Sequence, residues 1–170
     1  ALPSAEREAR VARLMEGLHL EPGYECKTTP VVLERGAYRR SYIFACTYFA
    51  LERLDLREPI TLTMDGERFD VLSLIEGEMT VEGGARVEHL RSGQSCLLPA
   101  DVGKITLSQI DGPCALLKAY VPDLQKNVIR PLRKAGVADE AVAALGGRTR
   151  LNPLLPLLAA ERPDASHDAS

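Results

Sequence analysis

Short apolar runs rich in β-forming residues fill the middle of the chain, and glycine, aspartate or proline separates each run from the next. Residues 69–75 (FDVLSLI) form one such run, which ends at the turn signal Glu76-Gly77. Further along, Gly83-Gly84 separates two alternating runs, as in a tight hairpin, and Pro99 follows a buried-type run at 96–98. This region therefore predicts four short antiparallel strands joined by tight turns.

The same pattern extends over residues 31–120, with turn signals about every 8–12 residues, a spacing typical of an antiparallel sandwich or barrel. The additional predicted strands cover residues 41–56, 59–63, 105–107 and 115–120. The apolar side chains expected to line or cap the interior are Phe69, Val71, Leu74, Leu97 and Leu98.

Helices are predicted on both sides of the β-rich region. Residues 4–16 begin with Ser4 as a capping residue, and apolar side chains behind it recur at helical spacing. This first stripe consists of Val11, Leu14, Met15 and Leu18. One barrel covers only part of such apolar surface, so at least one helical stripe is expected to pack on a partner.

The second predicted helix starts at Asp123, and Pro131 is expected to break or kink it. A further short helix is predicted at 139–145. The apolar stripe of the Asp123 helix consists of Leu124, Val128 and Leu132. Beyond these helices the chain is rich in proline and ends in a polar stretch, which is expected to be partly disordered.

Composition and net charge argue against some classes of partner and favour one kind of compartment. The 170-residue chain has a net charge of −3 and an apolar fraction of 45%, so neither nucleic acid nor a membrane is expected as a partner. The four cysteines lack a C-x-x-C spacing, which favours a reduced, cytoplasmic protein, although a pairing of Cys46 with Cys96 or Cys114 stays open. Because the first residue is Ala1 rather than Met, the chain is expected to be processed or to be part of a longer protein.

Two groups of basic residues are candidates for contact with an anion. Arg35 lies near Arg39 and Arg40 in the sequence. Guanidinium groups match the oxygens of a sugar phosphate, although a solvated strand end is the simpler interpretation of this group. Lys104, Lys118 and Arg91 are candidates for the mouth of a barrel or for plain surface charge. The possible anion or ligand contacts are Arg39, Arg40 and Lys104.

The sequence offers little catalytic or metal-binding chemistry. The acidic residues Asp65, Glu67 and Asp70 could bind a hard cation, but a turn rich in acids is usually only solvated. The histidines His19, His89 and His167 are too scattered to form one site by spacing. Phosphate-binding glycine loops and a G-x-S-x-G motif are absent. No catalytic residue is therefore assigned.

The order of strands and turns resembles that of the C-terminal cupin half of type I mannose-6-phosphate isomerases over roughly residues 31–120. The segments that carry the resemblance are Tyr48-Phe49, Glu76-Gly77, Gly83-Gly84 and Gly93 through Pro99-Ala100. The resemblance implies a mainly β fold, a cupin-like (jelly-roll) antiparallel β-barrel, here with flanking helices at both ends. These are fold-supporting residues and not catalytic ones.

The resemblance also implies where the family's chemistry lies. In that family the metal ligands and the catalytic arginine belong to the N-terminal half, and nothing in this chain resembles that half. The usual cupin ligand positions hold residues 65–70 and Lys104 instead of histidines. No cofactor is therefore expected in this segment, and a divalent metal such as zinc is expected only in a missing N-terminal half.

Three functions follow as hypotheses. The first is a non-catalytic C-terminal cupin domain of a mannose-6-phosphate isomerase-like protein, packed on its metal-bearing N-terminal half and inactive as an isomerase alone. The second is a stand-alone, metal-free cupin that binds a small sugar or acid as a sensory or binding module. The third is a dimerisation domain that forms a homodimer. The expected organisation is an N-terminal helix and lead-in at 1–30, the barrel at 31–120, helices at 121–150 and the tail at 151–170.

Overall fold

The computed structural model describes residues 4–16, 28–147 and 151–160. The helices are α1 (Ser4–Glu16), α2 (Arg130–Lys134), which directly continues a π-helical segment at Gln125–Ile129, α3 (Asp139–Ala144) and α4 (Leu154–Ala160). The strands are β1 (Val31–Glu34), β2 (Tyr38–Ala45), β3 (Ala50–Leu56), β4 (Ile60–Thr63), β5 (Asp70–Glu76), β6 (Glu78–Gly83), β7 (Arg86–Arg91), β8 (Ser95–Leu98), β9 (Lys104–Gln109) and β10 (Cys114–Tyr120). The described helices are each too short or too polar to span a bilayer.

The ten strands form two antiparallel sheets. One sheet has the order β1-β2-β3-β10-β5-β8, and the other has the order β4-β9-β6-β7. Neighbours in the sheets are mostly distant in sequence, as in a jelly roll, so the predicted fold class is confirmed. The two sheets are not joined into one continuously hydrogen-bonded barrel, and the run predicted at 41–56 is two strands separated by a turn at 46–49.

The turn between β5 and β6 requires glycine. Gly77 has a φ of +83°, in the left-handed region where residues with a Cβ are strained. A Cβ built at this position would also collide with the carbonyl oxygen of Pro113. The turn signal identified at Glu76-Gly77 therefore reflects both a local conformation and a close approach of the β9–β10 connection.

The main core lies between the two sheets, where alternate residues of each strand point inward. Leu74 and Leu98 are buried in it, as predicted, but Phe69 and Leu97 are 48% and 57% exposed, so their assignment to the interior was wrong. Successive residues of a strand point to opposite faces. Leu98 faces the core, so Leu97 faces outward, and β5 buries Leu72 and Leu74 instead of Phe69 and Val71.

A second apolar cluster forms where the C-terminal helices cover the wider sheet. The stripe Leu124, Val128 and Leu132 is buried there. The sheet residues in the same cluster are Tyr42, Ala45, Ala50 and Tyr120. This stripe therefore needs no partner molecule, because the chain's own sheet covers it.

The C-terminal region is more continuously helical than the sequence predicts, both at Pro131 and in the proline-rich tail. Pro131 has no N–H, and its ring would clash with a carbonyl four residues earlier in a regular helix. The chain is π-helical just before it, at Gln125–Ile129, and then continues as α2 without a break. In the proline-rich tail, α4 is helical and buries Leu154 and Leu158, while residues 161–170 lie outside the described part.

Helix α1 differs from the other helices in exposing its apolar stripe. Val11, Leu14 and Met15 are all at least half exposed, and Leu14 reaches 69%. The fourth member of the predicted stripe, Leu18, lies outside the described residues. Of the two predicted stripes, the one on α1 is therefore the one left uncovered.

Candidate functional site

The inner face of the wider sheet carries ionisable side chains in the middle of otherwise apolar strands. Glu52 on β3 pairs in register with Lys118 on β10, and Asp70 on β5 pairs with Tyr120. These positions alternate in phase with the buried leucines of the same strands, so the side chains point inward. Glu52, Asp70 and Lys118 are all buried, Glu52 completely.

Glu52 is the centre of this arrangement. Arg40 on β2 donates to both of its oxygens, from Nε to Oε2 at 3.0 Å and from Nη2 to Oε1 at 2.7 Å. The hydroxyl of Tyr120 donates to Oε1, and Nζ of Lys118 lies 3.4 Å from Oε2. This carboxylate therefore has partners on both oxygens, as a buried charge requires.

Asp70 extends the arrangement toward the helices. Nζ of Lys118 lies 3.6 Å from its Oδ2, and Nε of Arg68 donates to its Oδ1 at 3.1 Å. Arg68 also donates to the side-chain oxygen of Asn127 and stacks on the Tyr120 ring, 4.4 Å from its centroid. We call these side chains the charge cluster: Arg40, Glu52, Arg68, Asp70, Lys118 and Tyr120.

The charge cluster lies between the two apolar clusters. On β3, Leu54 and Leu56 belong to the core between the sheets, and Ala50 belongs to the cluster under the helices. Glu52 lies between these positions on the same face. The cluster thus marks the end of the jelly-roll interior, at the point where the C-terminal helices begin to cover the sheet.

Ion pairing dominates the electrostatics of Glu52. Burial alone would raise its pKa, but Lys118 and Arg40, with hydrogen bonds from Arg40 and Tyr120, outweigh burial and lower the pKa. For Arg40, burial would lower the pKa, and Glu52 reverses this and raises it. Burial and the negative charge of Glu52 raise the pKa of Tyr120. At neutral pH the cluster therefore holds an ionised carboxylate beside a neutral phenol.

We expect the free energy of unfolding to fall in acid because of Glu52. Its pKa in the folded protein lies below the ordinary 4.5, so its stabilisation is complete above that pH and is lost as the pH falls through the folded-state pKa. Urea denaturation at several pH values between 7 and about 3 measures this. Glu52→Gln should flatten the acid limb, and equal slopes in the two proteins would contradict the assignment.

Stability at alkaline pH depends on two buried tyrosines, Tyr42 and Tyr120, whose pKa values are both raised. Burial raises the pKa of Tyr42, which lies on β2 beside the cluster, to about 12. An exposed tyrosine ionises near pH 10, so the unfolded chain releases this proton first and stability is lost as the pH rises above that value. Tyr42→Phe should reduce this alkaline loss, measured by the same urea titration.

The structure does not bring the predicted anion contacts together. Arg40 lies in the charge cluster, bound to Glu52. Arg39 points to the opposite face of β2, where its guanidinium donates to Asp55 at 3.2 Å. Lys104 is exposed at the start of β9, in the other sheet. Among the other basic candidates, Lys118 is inside the cluster, and Arg91 is exposed and lies 3.6 Å from Glu78.

The acidic turn does not form a cation site either. Lys126 donates to Asp65 at 3.0 Å and to Glu67 at 2.5 Å, and Asp70 belongs to the charge cluster. His89 is on the outer strand β7, paired in register with Thr80. His19 and His167 lie outside the described residues. In the part of the chain that the structure describes, no three His, Cys, Asp or Glu side chains form a group suited to a metal ion.

Sequence analysis missed the role of Glu52, Arg68 and Tyr120. The sequence did contain a signal for Glu52. In the strand ALERLDL it occupies one of the alternate positions that are otherwise apolar. Lys118 occupies the same kind of position in CALLKAY. A charged residue in the inward phase of a strand predicts a buried partner of opposite charge. Arg68 precedes its strand, and nothing in its local sequence distinguishes it.

A separate cavity of about 390 Å³ lies at the seam where β7 and β8 form the edges of the two sheets. Its wall is mainly aliphatic, with Val81, Leu90 and Ile105 from the narrower sheet. Arg86 and Glu88 add charge, and Cys96 adds a free thiol. Its volume is within the range of small-molecule sites, and its aliphatic wall favours a ligand with a largely apolar surface.

Comparison with known proteins identifies the fold and the type of domain. Residues 39–121 match the family described as "Mannose-6-phosphate isomerase, cupin domain". No curated protein sequence matches the chain significantly. All six residues of the charge cluster lie within the matched range.

Solved structures support the same fold. The mannose 6-phosphate isomerase from Bacillus subtilis is similar over 64% of this chain, with 18% identity and a TM-score of 0.52, and the similar part is 33% of that protein. An RmlC-like cupin from Shewanella frigidimarina is similar over 62% of this chain and 96% of its own, with 13% identity and a TM-score of 0.50. The chain thus matches about a third of the length of the isomerase, and both likenesses concern the fold.

Proposed function

Since residues 39–121 form a cupin domain of the mannose-6-phosphate isomerase type, we propose that this chain is the non-catalytic cupin half of an isomerase-like protein. In this role it packs on a metal-bearing N-terminal half and performs no chemistry alone. The single observation that carries the proposal is the position of Lys118. Its ammonium lies 3.4 Å from Glu52 and 3.6 Å from Asp70, between the two buried carboxylates of the inner face.

A tethered ammonium in this position supplies the positive charge that a bound cation would otherwise supply. Glu52 also accepts hydrogen bonds from Arg40 and Tyr120, and the positive charges of Arg40 and Lys118 would repel a metal ion bound to the same carboxylate. The residues present therefore do not fit a transition metal. Proton transfer beside a carbonyl requires an available base. Glu52 is ion-paired and fully buried, which argues against that role.

The exposed stripe on α1 is the observation that favours a docking role. Val11, Leu14 and Met15 expose apolar surface on one helix, and such surface usually marks an interaction site. We propose that the N-terminal half covers it in the complete protein, and that a second copy covers it in the isolated chain. The free thiols of Cys46, Cys96 and Cys114 favour a reducing compartment, so we propose a cytoplasmic location.

We expect purified chain to contain no stoichiometric zinc, iron or manganese and to give background rates with mannose 6-phosphate. Elemental analysis and a coupled isomerase assay measure the two quantities. One tightly held metal per chain, together with turnover abolished by a chelator, would contradict the proposal. Reading the coding sequence upstream of Ala1 adds a direct check, because a segment with a Gln-x-His, a Glu and a later His is what the docking role requires.

We expect the isolated chain to self-associate through α1. Light scattering over a range of concentrations should give a mass above that of one 18.6 kDa chain. Leu14→Glu should shift the distribution to monomer, because a carboxylate cannot be buried cheaply in an apolar contact. Arg13→Glu, at an exposed position on the opposite face of the same helix, is the matched control and should leave the mass unchanged. A monomer at all concentrations would remove the argument for docking.

A stand-alone binding module is the second candidate, and the seam cavity is the observation that favours it. The cavity is about 390 Å³ and lies between two unpaired sheet edges, so a ligand could enter without displacing the helices. Its aliphatic wall suits an apolar ligand better than a sugar. A monomeric chain that binds a small apolar dye, with binding lost in Leu90→Arg, would move the assignment to this function.

A further inference from the structure

A second polar feature of the molecule is a surface cleft of about 430 Å³ beside α2. Its wall is formed by Arg35, from the β1–β2 turn, and by residues of the π-helical segment and α2. We call it the basic cleft, and the residues that line it are Arg35, Lys126, Arg130, Pro131, Lys134 and Ala135. Four of these six carry positive charge, and no carboxylate occurs among the described residues of the wall.

From this arrangement we infer that the basic cleft binds the phosphate group of a phosphorylated small molecule. The inference is independent of the proposed docking function, since the cleft lies outside the charge cluster and the α1 stripe. Lys126 belongs to the π-helical segment, and Arg130 and Lys134 belong to α2. All three line the cleft, and Arg35 reaches the same cleft from a turn of the sheet.

Charge balance identifies the ligand class. Asp65 and Glu67 hold the ammonium of Lys126 in place. Arg35 and Lys134 form no ion pair with any residue that the structure describes, so these two side chains can donate to a ligand in the cleft. A phosphate monoester carries about −1.5 to −2 at neutral pH and has three acceptor oxygens. It can therefore accept hydrogen bonds from both side chains and balance both of their charges.

The helix dipole alone does not account for the basic cleft. Positive residues are stabilised near the C-terminal end of a helix, which explains Lys134 in the last turn of α2. It does not explain Arg35, which comes from a turn between two strands and lines the same cleft. The whole chain has a net charge of −3, so general attraction of anions to the protein is not the cause.

Isothermal titration calorimetry of the full chain with inorganic phosphate tests the inference, with sodium chloride at matched ionic strength as the reference. We expect saturable binding of phosphate, weakened about tenfold in Arg35→Gln and again in Lys134→Gln, since each removes one charge-assisted contact. Lys104→Gln is the matched control, because it removes an exposed lysine from the other sheet. Both cleft positions are exposed, so these variants should fold normally.

Three results would overturn the inference. The first is a phosphate isotherm that is unchanged in the Arg35→Gln, Lys134→Gln double variant. The second is an equal response to chloride at the same ionic strength, which would indicate screening only. The third is binding of an acidic peptide, such as hexa-aspartate, without binding of phosphate. By contrast, amide chemical-shift changes on addition of phosphate that are confined to the β1–β2 turn and residues 126–136 would support the inference.

Discussion

Replacing Glu52 by alanine is expected to lower the free energy of unfolding by about 3–5 kcal/mol, the range found when one partner of a buried ion pair is removed. Glu52 is 0% exposed and accepts from Arg40 and Tyr120, with Lys118 alongside. Its loss leaves two positive charges in the interior without their principal partner. Urea denaturation monitored by circular dichroism measures the change.

Two controls separate the buried pairs from ordinary surface charge. Glu34→Ala removes an exposed partner of Arg57 and should cost about 0.5 kcal/mol or less. Replacing Arg40, Glu52 and Lys118 together by apolar residues of similar size should recover much of the loss, because no uncompensated charge then remains. If Glu52→Ala were as mild as Glu34→Ala, the charge cluster would not exist as described.

Leu74→Ala is expected to cost about 2–5 kcal/mol, because it removes buried surface and leaves a cavity between the two sheets. Leu74 is 1% exposed and belongs to the main core, together with Leu72 and Leu116 on the same face. Thermal and urea denaturation should both report the loss.

Leu97→Ala is the matched control, since it makes the same chemical change in a strand of the same sheet. Leu97 is 57% exposed, so its truncation should cost less than about 1 kcal/mol. The contrast tests the register of β8 directly. If Leu97→Ala and Leu74→Ala lowered stability equally, Leu97 would have to face the core and the strand would be shifted by one residue.

The charge cluster provides its own counter-charges for the carboxylates inside the jelly roll. Asp70 lies in the acidic segment where cupin ligands are usual, and here it is bound to Arg68 and Lys118. The ion pairs occupy the polar end of the jelly-roll interior, and the C-terminal helices cover the adjoining part of the sheet.

The sequence by itself determined the class of fold and most of the strands, although the run predicted at 41–56 is two strands. Period-two alternation and glycine turns are local properties, and residues such as Gly77 and Gly83-Gly84 lie at or beside the predicted turns. The order of these signals also carried the resemblance to the cupin domain that the comparison confirmed. Local periodicity was enough for these results because each strand and turn is specified by residues within a few positions.

Only the tertiary structure decided which charged residues meet. Arg40, Glu52, Asp70 and Lys118 come from four strands, and their contact depends on the β2-β3-β10-β5 order of the sheet. The face of Leu97 and the cover over the Leu124 stripe also depend on pairing and packing. A strand's alternation shows that two faces differ, but which face is buried, and against what, is fixed by contacts between residues distant in the chain.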